Sequence, residues 1–176
     1  MRRFCATFWR RAPVVDWAKK IRKAVGDDLD ADEQVEAGLF VQPAGTTSGM
    51  MGSQLGGLVG AVIADELGSA RGDGIELSRD TGLAADVPSE RLVLGLSGRR
   101  MLIWGHSTMS GKPKGLKTAI PLNRVQGIAM EKGKLTHRVV FAFDDGSGFA
   151  VEAPKVGKPD DFLAAFDRLT GRPTVT

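Results

Sequence analysis

The spacing of apolar side chains changes along this chain, and the changes mark out its elements. In PVVDWAKKIRKAVG, residues 13–26, Val14, Trp17, Ala18, Ile21 and Val25 recur at three and four, while Lys19, Lys20, Arg22 and Lys23 fall on the other face. That period predicts an amphipathic helix, opened by Pro13 and closed by Gly26. A basic helix of this kind either docks on the domain's own core or lies on anionic lipid. The acidic run DDLDADE that follows reads as solvated linker. Val35, Leu39, Phe40 and Val41 then suggest a strand that stops at Pro43 and Gly45.

From residue 90 the pattern becomes that of consecutive strands. RLVLGLS and RRMLIWG flank a turn at Ser97 and Gly98; KTAIPL and RVQGIAME follow; HRVVFAF and GFAVEA flank the turn DDGS. Trp104 and Phe141, each among apolar strand neighbours, are expected to be buried. PDDFLAAFDRLTG closes the pattern as a helix, with Pro159 at its first turn, Asp160 and Asp161 complementing the N-terminal dipole, and Gly171 as the C-terminal cap. Phe162, Leu163, Phe166 and Leu169 form its apolar stripe. No internal repeat is visible.

Between these regions, residues 44–89 follow neither rule. The stretch GMMGSQLGGLVGAVIADELG, residues 49–68, has Gly52, Gly56, Gly60, Ala64 and Gly68 every four residues, with Leu55, Val59 and Ile63 among its apolar positions. As a helix it would present a stripe of small side chains that admits close approach of another backbone. Interior glycines cost roughly 1 kcal/mol each relative to alanine, so such a helix must bury its apolar side chains. A bilayer span needs about 20 apolar residues. This run is diluted by Ser53 and Gln54 and stops at Asp65 and Glu66, so it reads as a helix packed on the protein's own sheet or on a second subunit. The remainder, to Ser89, reads as loop.

The chain has 176 residues, 42% hydrophobic, and a formal charge of +3. That suffices for one domain with a real core and permits anionic partners without demanding them. The reading is residues 1–33 as tail and helix, 34–171 as one domain with an insertion at 44–89, and 172–176 as tail. A single cysteine, Cys5, excludes an intramolecular disulfide and any multi-cysteine metal site. The start, MRRFCATFWRRAPVV, has a basic flank but is interrupted by Arg10, Arg11 and Pro13 before an apolar signal core develops, so a cytoplasmic location is expected.

The stretches ERLVLGLSGRRMLIWG, AIPLNRVQGIAMEKGK and VVFAFDDGSGFAVEAPK, with the closing helix, resemble the bacterial pleckstrin-homology-like domains over residues 90–171, with EQVEAGLFVQPAG, from about residue 34, as a candidate earlier strand. The resemblance implies an α+β fold: a bent antiparallel sheet or partly open barrel, capped by the C-terminal helix and preceded here by an N-terminal helix and a Gly-rich helical insertion. It also implies a binding module, and it names no ligand.

Two candidate surfaces emerge. Lys112, Lys114 and Lys117 crowd the Gly-rich stretch HSTMSGKPKGLK, which reads as a mobile loop, and Arg99 and Arg100 lie close by in sequence. Delocalised attraction to phosphate headgroups suits such a set; charge that protects a sheet edge is the plainer explanation. Nucleic acid is disfavoured, because single-strand binders interleave aromatics with basic residues and only Trp104 lies nearby. The second surface is the association helix, Gly52, Leu55, Gly56, Val59, Gly60 and Ile63, which points to a homo-oligomer or a protein partner. His106 and His137 have no cysteine, serine motif or acidic cluster around them and read as surface histidines. The sequence offers no P-loop, calcium loop or catalytic constellation, so the expectation is a protein that is not an enzyme, with no cofactor and no metal.

Overall fold

The computed structural model describes residues 15–45 and 77–176. The expected helix is α1, Trp17–Ala24. It begins four residues after Pro13, because Asp16 caps it, its Oδ1 accepting from the Lys19 N–H at 3.0 Å. Trp17, Ala18 and Ile21 are buried while the lysines and Arg22 face outward, so α1 docks on the sheet. The proposed association helix, including Gly52, Gly56 and Gly60, lies outside the described residues.

Among the described residues seven strands follow: β1 Val35–Pro43, β2 Leu92–Ser97, β3 Arg100–His106, β4 Pro113–Pro121, β5 Val125–Glu131, β6 Thr136–Phe143 and β7 Gly148–Pro154. They form one antiparallel sheet in the order β4-β3-β2-β1-β7-β6-β5. It is not closed, since β4 and β5 are both edges. β1 joins its halves, pairing with β2 from Val35 to Val41 and with β7 at Gln42 and Pro43. The strand before the insertion therefore belongs to the same sheet as those after it.

Alternation along the strands sets buried apolar side chains on both faces of the sheet. Leu39, Leu94, Met101, Ile103, Phe141 and Phe149 point to a main core shared by both halves, which helix α3, Pro159–Thr170, covers with Phe162, Leu163 and Phe166. Val35, Val93, Leu102 and Trp104 point the other way, onto α1. Trp104 and Phe141 are both fully buried, as their strand context predicts. α1 approaches so closely that a Cβ on Gly38 would lie 2.8 Å from the Ala18 nitrogen. Only glycine fits there.

Part of the region read as loop is core. A single helical turn, α2, Gly82–Ala85, brings Ala84 and Val87 into the main cluster. It is pinned to the β6–β7 turn: the Leu83 N–H donates to Asp145 Oδ2 at 2.8 Å and the Ala84 N–H to Ser147 Oγ at 3.2 Å. At the far edge the chain's end covers β5, the Met130 N–H donating to the Val175 carbonyl at 2.7 Å. The β4 edge is guarded by other means. It carries prolines at both ends, exposed Lys114 and Lys117, and two register shifts opposite Trp104, with Gly115 at a φ of 58°. Such irregularities and charges discourage pairing with another strand.

Candidate functional site

The five basic residues singled out in the sequence divide into two groups. Arg99 and Arg100 face acids of the run expected to be linker. The Arg100 guanidinium makes a forked contact with Glu33, Nε to Oε1 at 3.0 Å and Nη2 to Oε2 at 2.6 Å. Glu33 also accepts from Ser97 Oγ at 2.6 Å and from the Asp30 N–H at 3.2 Å. Arg99 pairs with Asp32, and Trp104 Nε1 donates to Asp28 Oδ2 at 2.9 Å. The acidic run is thus not a solvated linker; it is stapled to the β2–β3 hairpin. The Arg100 contact, with help from Ser97 and the backbone, holds the Glu33 carboxyl down to about 2 against the opposing effect of burial. These two arginines are spent on carboxylates of the same chain.

The lysines remain outward. Lys117 is paired with Glu90 at 3.2 Å. Lys112 and Lys114 are exposed, and among the described residues no carboxylate lies within ion-pair distance of either. The stretch from His106 to Lys117 is not one mobile loop, because β4 begins at Pro113. What remains is a tight turn. The Ser107 N–H donates to the Lys112 carbonyl at 3.0 Å, the Gly111 N–H to the Ser107 carbonyl at 2.8 Å, and the Ser110 N–H to Ser107 Oγ at 3.3 Å. Gly111 takes a φ of 61°, which suits glycine.

At the tip of this turn stands Met109, 99% exposed. Its signal was a lone apolar residue inside STMSGK that belongs to no helical or strand period.

The base of the turn is an aromatic cluster. The His106 ring lies 4.6 Å from Phe40 and 6.1 Å from Trp17, which stack on each other at 5.5 Å. Lys20 Nζ sits 4.6 Å over the Trp17 ring. Burial first, then Arg91 and Lys20, push the His106 pKa below its ordinary value. Lys20 and Arg91 therefore bring positive charge close to the His106 ring at the base of this turn. His106 is not the surface histidine expected, and neither is His137, which is 5% exposed. His137 Nδ1 accepts from the Gly133 N–H at 3.2 Å, and burial, followed by Lys155, lowers its pKa.

Among the described residues no group of histidine, cysteine and carboxylate side chains is arranged to hold a metal ion, and no helix is long and apolar enough to cross a membrane. What the turn offers chemically is a rigid apolar tip on a basic base. No protein-family model matches the chain, and no curated protein matches it at a significant level.

Proposed function

We propose that this chain is a pleckstrin-homology-like binding module without catalytic chemistry, cytoplasmic, whose β3–β4 turn makes peripheral contact with an anionic phospholipid surface. The observation that carries this reading is Met109, fully exposed on a turn braced by backbone hydrogen bonds and followed by the exposed Lys112 and Lys114, which have no carboxylate partner among the described residues. An unbranched apolar side chain can enter the headgroup layer while lysines meet phosphate. The pleckstrin-homology-like assignment is supported by the order of elements: a four-strand meander, a three-strand meander and a capping helix.

A second reading, association with itself or with a protein partner, rests on the Gly52, Gly56 and Gly60 stripe with Leu55, Val59 and Ile63. The guarded β4 edge supports placing any such contact away from strand pairing.

Flotation with phosphatidylcholine vesicles, with and without phosphatidylserine, tests the first reading. The wild-type chain is expected to float with the acidic vesicles at low salt and to be released at high salt, where screening shortens the reach of surface charge. Lys112→Gln/Lys114→Gln/Lys117→Gln is expected to lose roughly ten-fold or more in partitioning, with an unchanged melting temperature. Wild-type protein that ignores acidic vesicles at low salt would refute the reading.

A further inference from the structure

A second apolar protrusion stands on a basic base elsewhere on the molecule, where the β5–β6 turn meets the residues leading into α3. Leu135 is 81% exposed and Val156 63% exposed. They are far apart in sequence but belong to adjoining turns, since the Lys155 N–H donates to the Leu135 carbonyl at 3.3 Å. Each apolar residue is immediately preceded by an exposed lysine, Lys134 and Lys155. Among the described residues neither lysine has a carboxylate within ion-pair distance. Lys132 and Lys158 flank the pair but are engaged with Asp160 at 3.8 Å and Asp161 at 3.2 Å. Glu131, the remaining acid of the turn, stands opposite Arg138 in the ladder.

The base of this knuckle is fixed. The Gly133 N–H is held by the buried His137 ring at 3.2 Å. On the other turn Gly157 is buried, and a Cβ there would lie 3.7 Å from Trp17 Nε1 and 3.9 Å from Leu39 Cδ1. The turn therefore rests on the Trp17 ring that also backs His106. Apolar side chains held outward on packed turns lose solvent exposure only when something covers them. Two exposed side chains stand on adjoining turns with an exposed lysine beside each. A headgroup layer accepts such protrusions without a matching surface, and its phosphates complement the lysines.

From this juxtaposition we infer that Leu135 and Val156, with Lys134 and Lys155, form a second membrane-contact site that takes anionic phospholipid. The inference rests on the proposed membrane reading and adds a site to it.

The test is flotation of the full chain with phosphatidylcholine–phosphatidylserine vesicles at low salt, comparing two double variants. Leu135→Ser/Val156→Ser removes the apolar tips, and Lys134→Gln/Lys155→Gln removes the charge. All four side chains are exposed, so melting temperatures are expected to match wild type. Each double variant is expected to partition roughly ten-fold more weakly. Wild-type partitioning in both, alongside loss in the triple variant of Lys112, Lys114 and Lys117, would overturn this site while leaving the proposed function standing. No binding by the wild-type chain would overturn both. Binding to soluble polyglutamate, lost in the same double variants, without binding to vesicles would overturn the lipid assignment in favour of an acidic polypeptide.

Discussion

Arg100→Ala is expected to destabilise the fold by about 3–5 kcal/mol, the scale for removing one partner of a buried ion pair. The Glu33 side chain is only 1% exposed and the guanidinium is its forked partner, so the substitution leaves a buried carboxylate with no counter-charge in contact, held only by Ser97 Oγ and the Asp30 N–H. It also unties Asp28, whose carbonyl accepts from Arg100 Nη2 at 3.4 Å and whose carboxylate holds Trp104. The same pair gives a pH signature. The Glu33 pKa falls from 4.5 to about 2 on folding. A depressed carboxylate stabilises the folded state above its unfolded pKa, and that contribution disappears as the pH falls through the folded value. Wild-type stability should accordingly drop by roughly 3 kcal/mol between about pH 5 and pH 2 from this group. In Arg100→Ala, where the largest cause of the depression is gone, that acid-induced loss should shrink. Urea unfolding at pH 7 and at pH 3 measures both effects; an Arg100→Ala midpoint equal to wild type at pH 7 would show that the pair does not hold the acidic segment.

Trp104→Ala is expected to cost a similar 3–5 kcal/mol, the range for truncating a large buried aromatic. The ring is fully buried between α1 and the sheet, and Gly95 on the next strand is shaped to it: a Cβ there would lie 2.8 Å from Trp104 Cζ3. Trp104→Phe separates packing from hydrogen bonding. It keeps most of the apolar volume but abandons Asp28, so a smaller loss of about 1 kcal/mol is expected. Chemical denaturation of the two variants reads the difference. Equal losses would mean that the bond to Asp28, rather than the ring, carries the contribution.

The hairpins and α3 were legible because their signals are local: a turn dipeptide between two apolar runs, or a proline and two aspartates opening a helical stripe. Gly171 ends α3 as expected, its N–H donating to the Asp167 carbonyl at 2.8 Å. The role of the acidic run was not legible, because its partners lie on a hairpin 67 residues away and a charge run alone looks solvated. The histidines were legible and misread. His137 shares the parity of Val139, Phe141 and Phe143, which face the main core, and His106 that of Leu102 and Trp104, which face α1. Alternation alone puts both rings on packed faces. The register shifts that place Gly115 and Lys117 outside the regular ladder have no such pattern behind them, so β4 looked like loop until Lys117. As for the candidate site, the lysines were visible as composition, whereas the diversion of Arg99 and Arg100 into ion pairs required the fold. The exposure of Met109, Leu135 and Val156 required it too.

The most direct measurement places a reporter at the tip of the basic turn. Cys5 is the chain's single cysteine, so Cys5→Ser/Met109→Cys carries one environment-sensitive fluorophore at position 109. On mixing with phosphatidylserine-containing vesicles at low salt, its emission is expected to shift to the blue and intensify, and to return when salt is raised. Emission that stays at its aqueous position, with the protein bound to vesicles or free, would contradict the account.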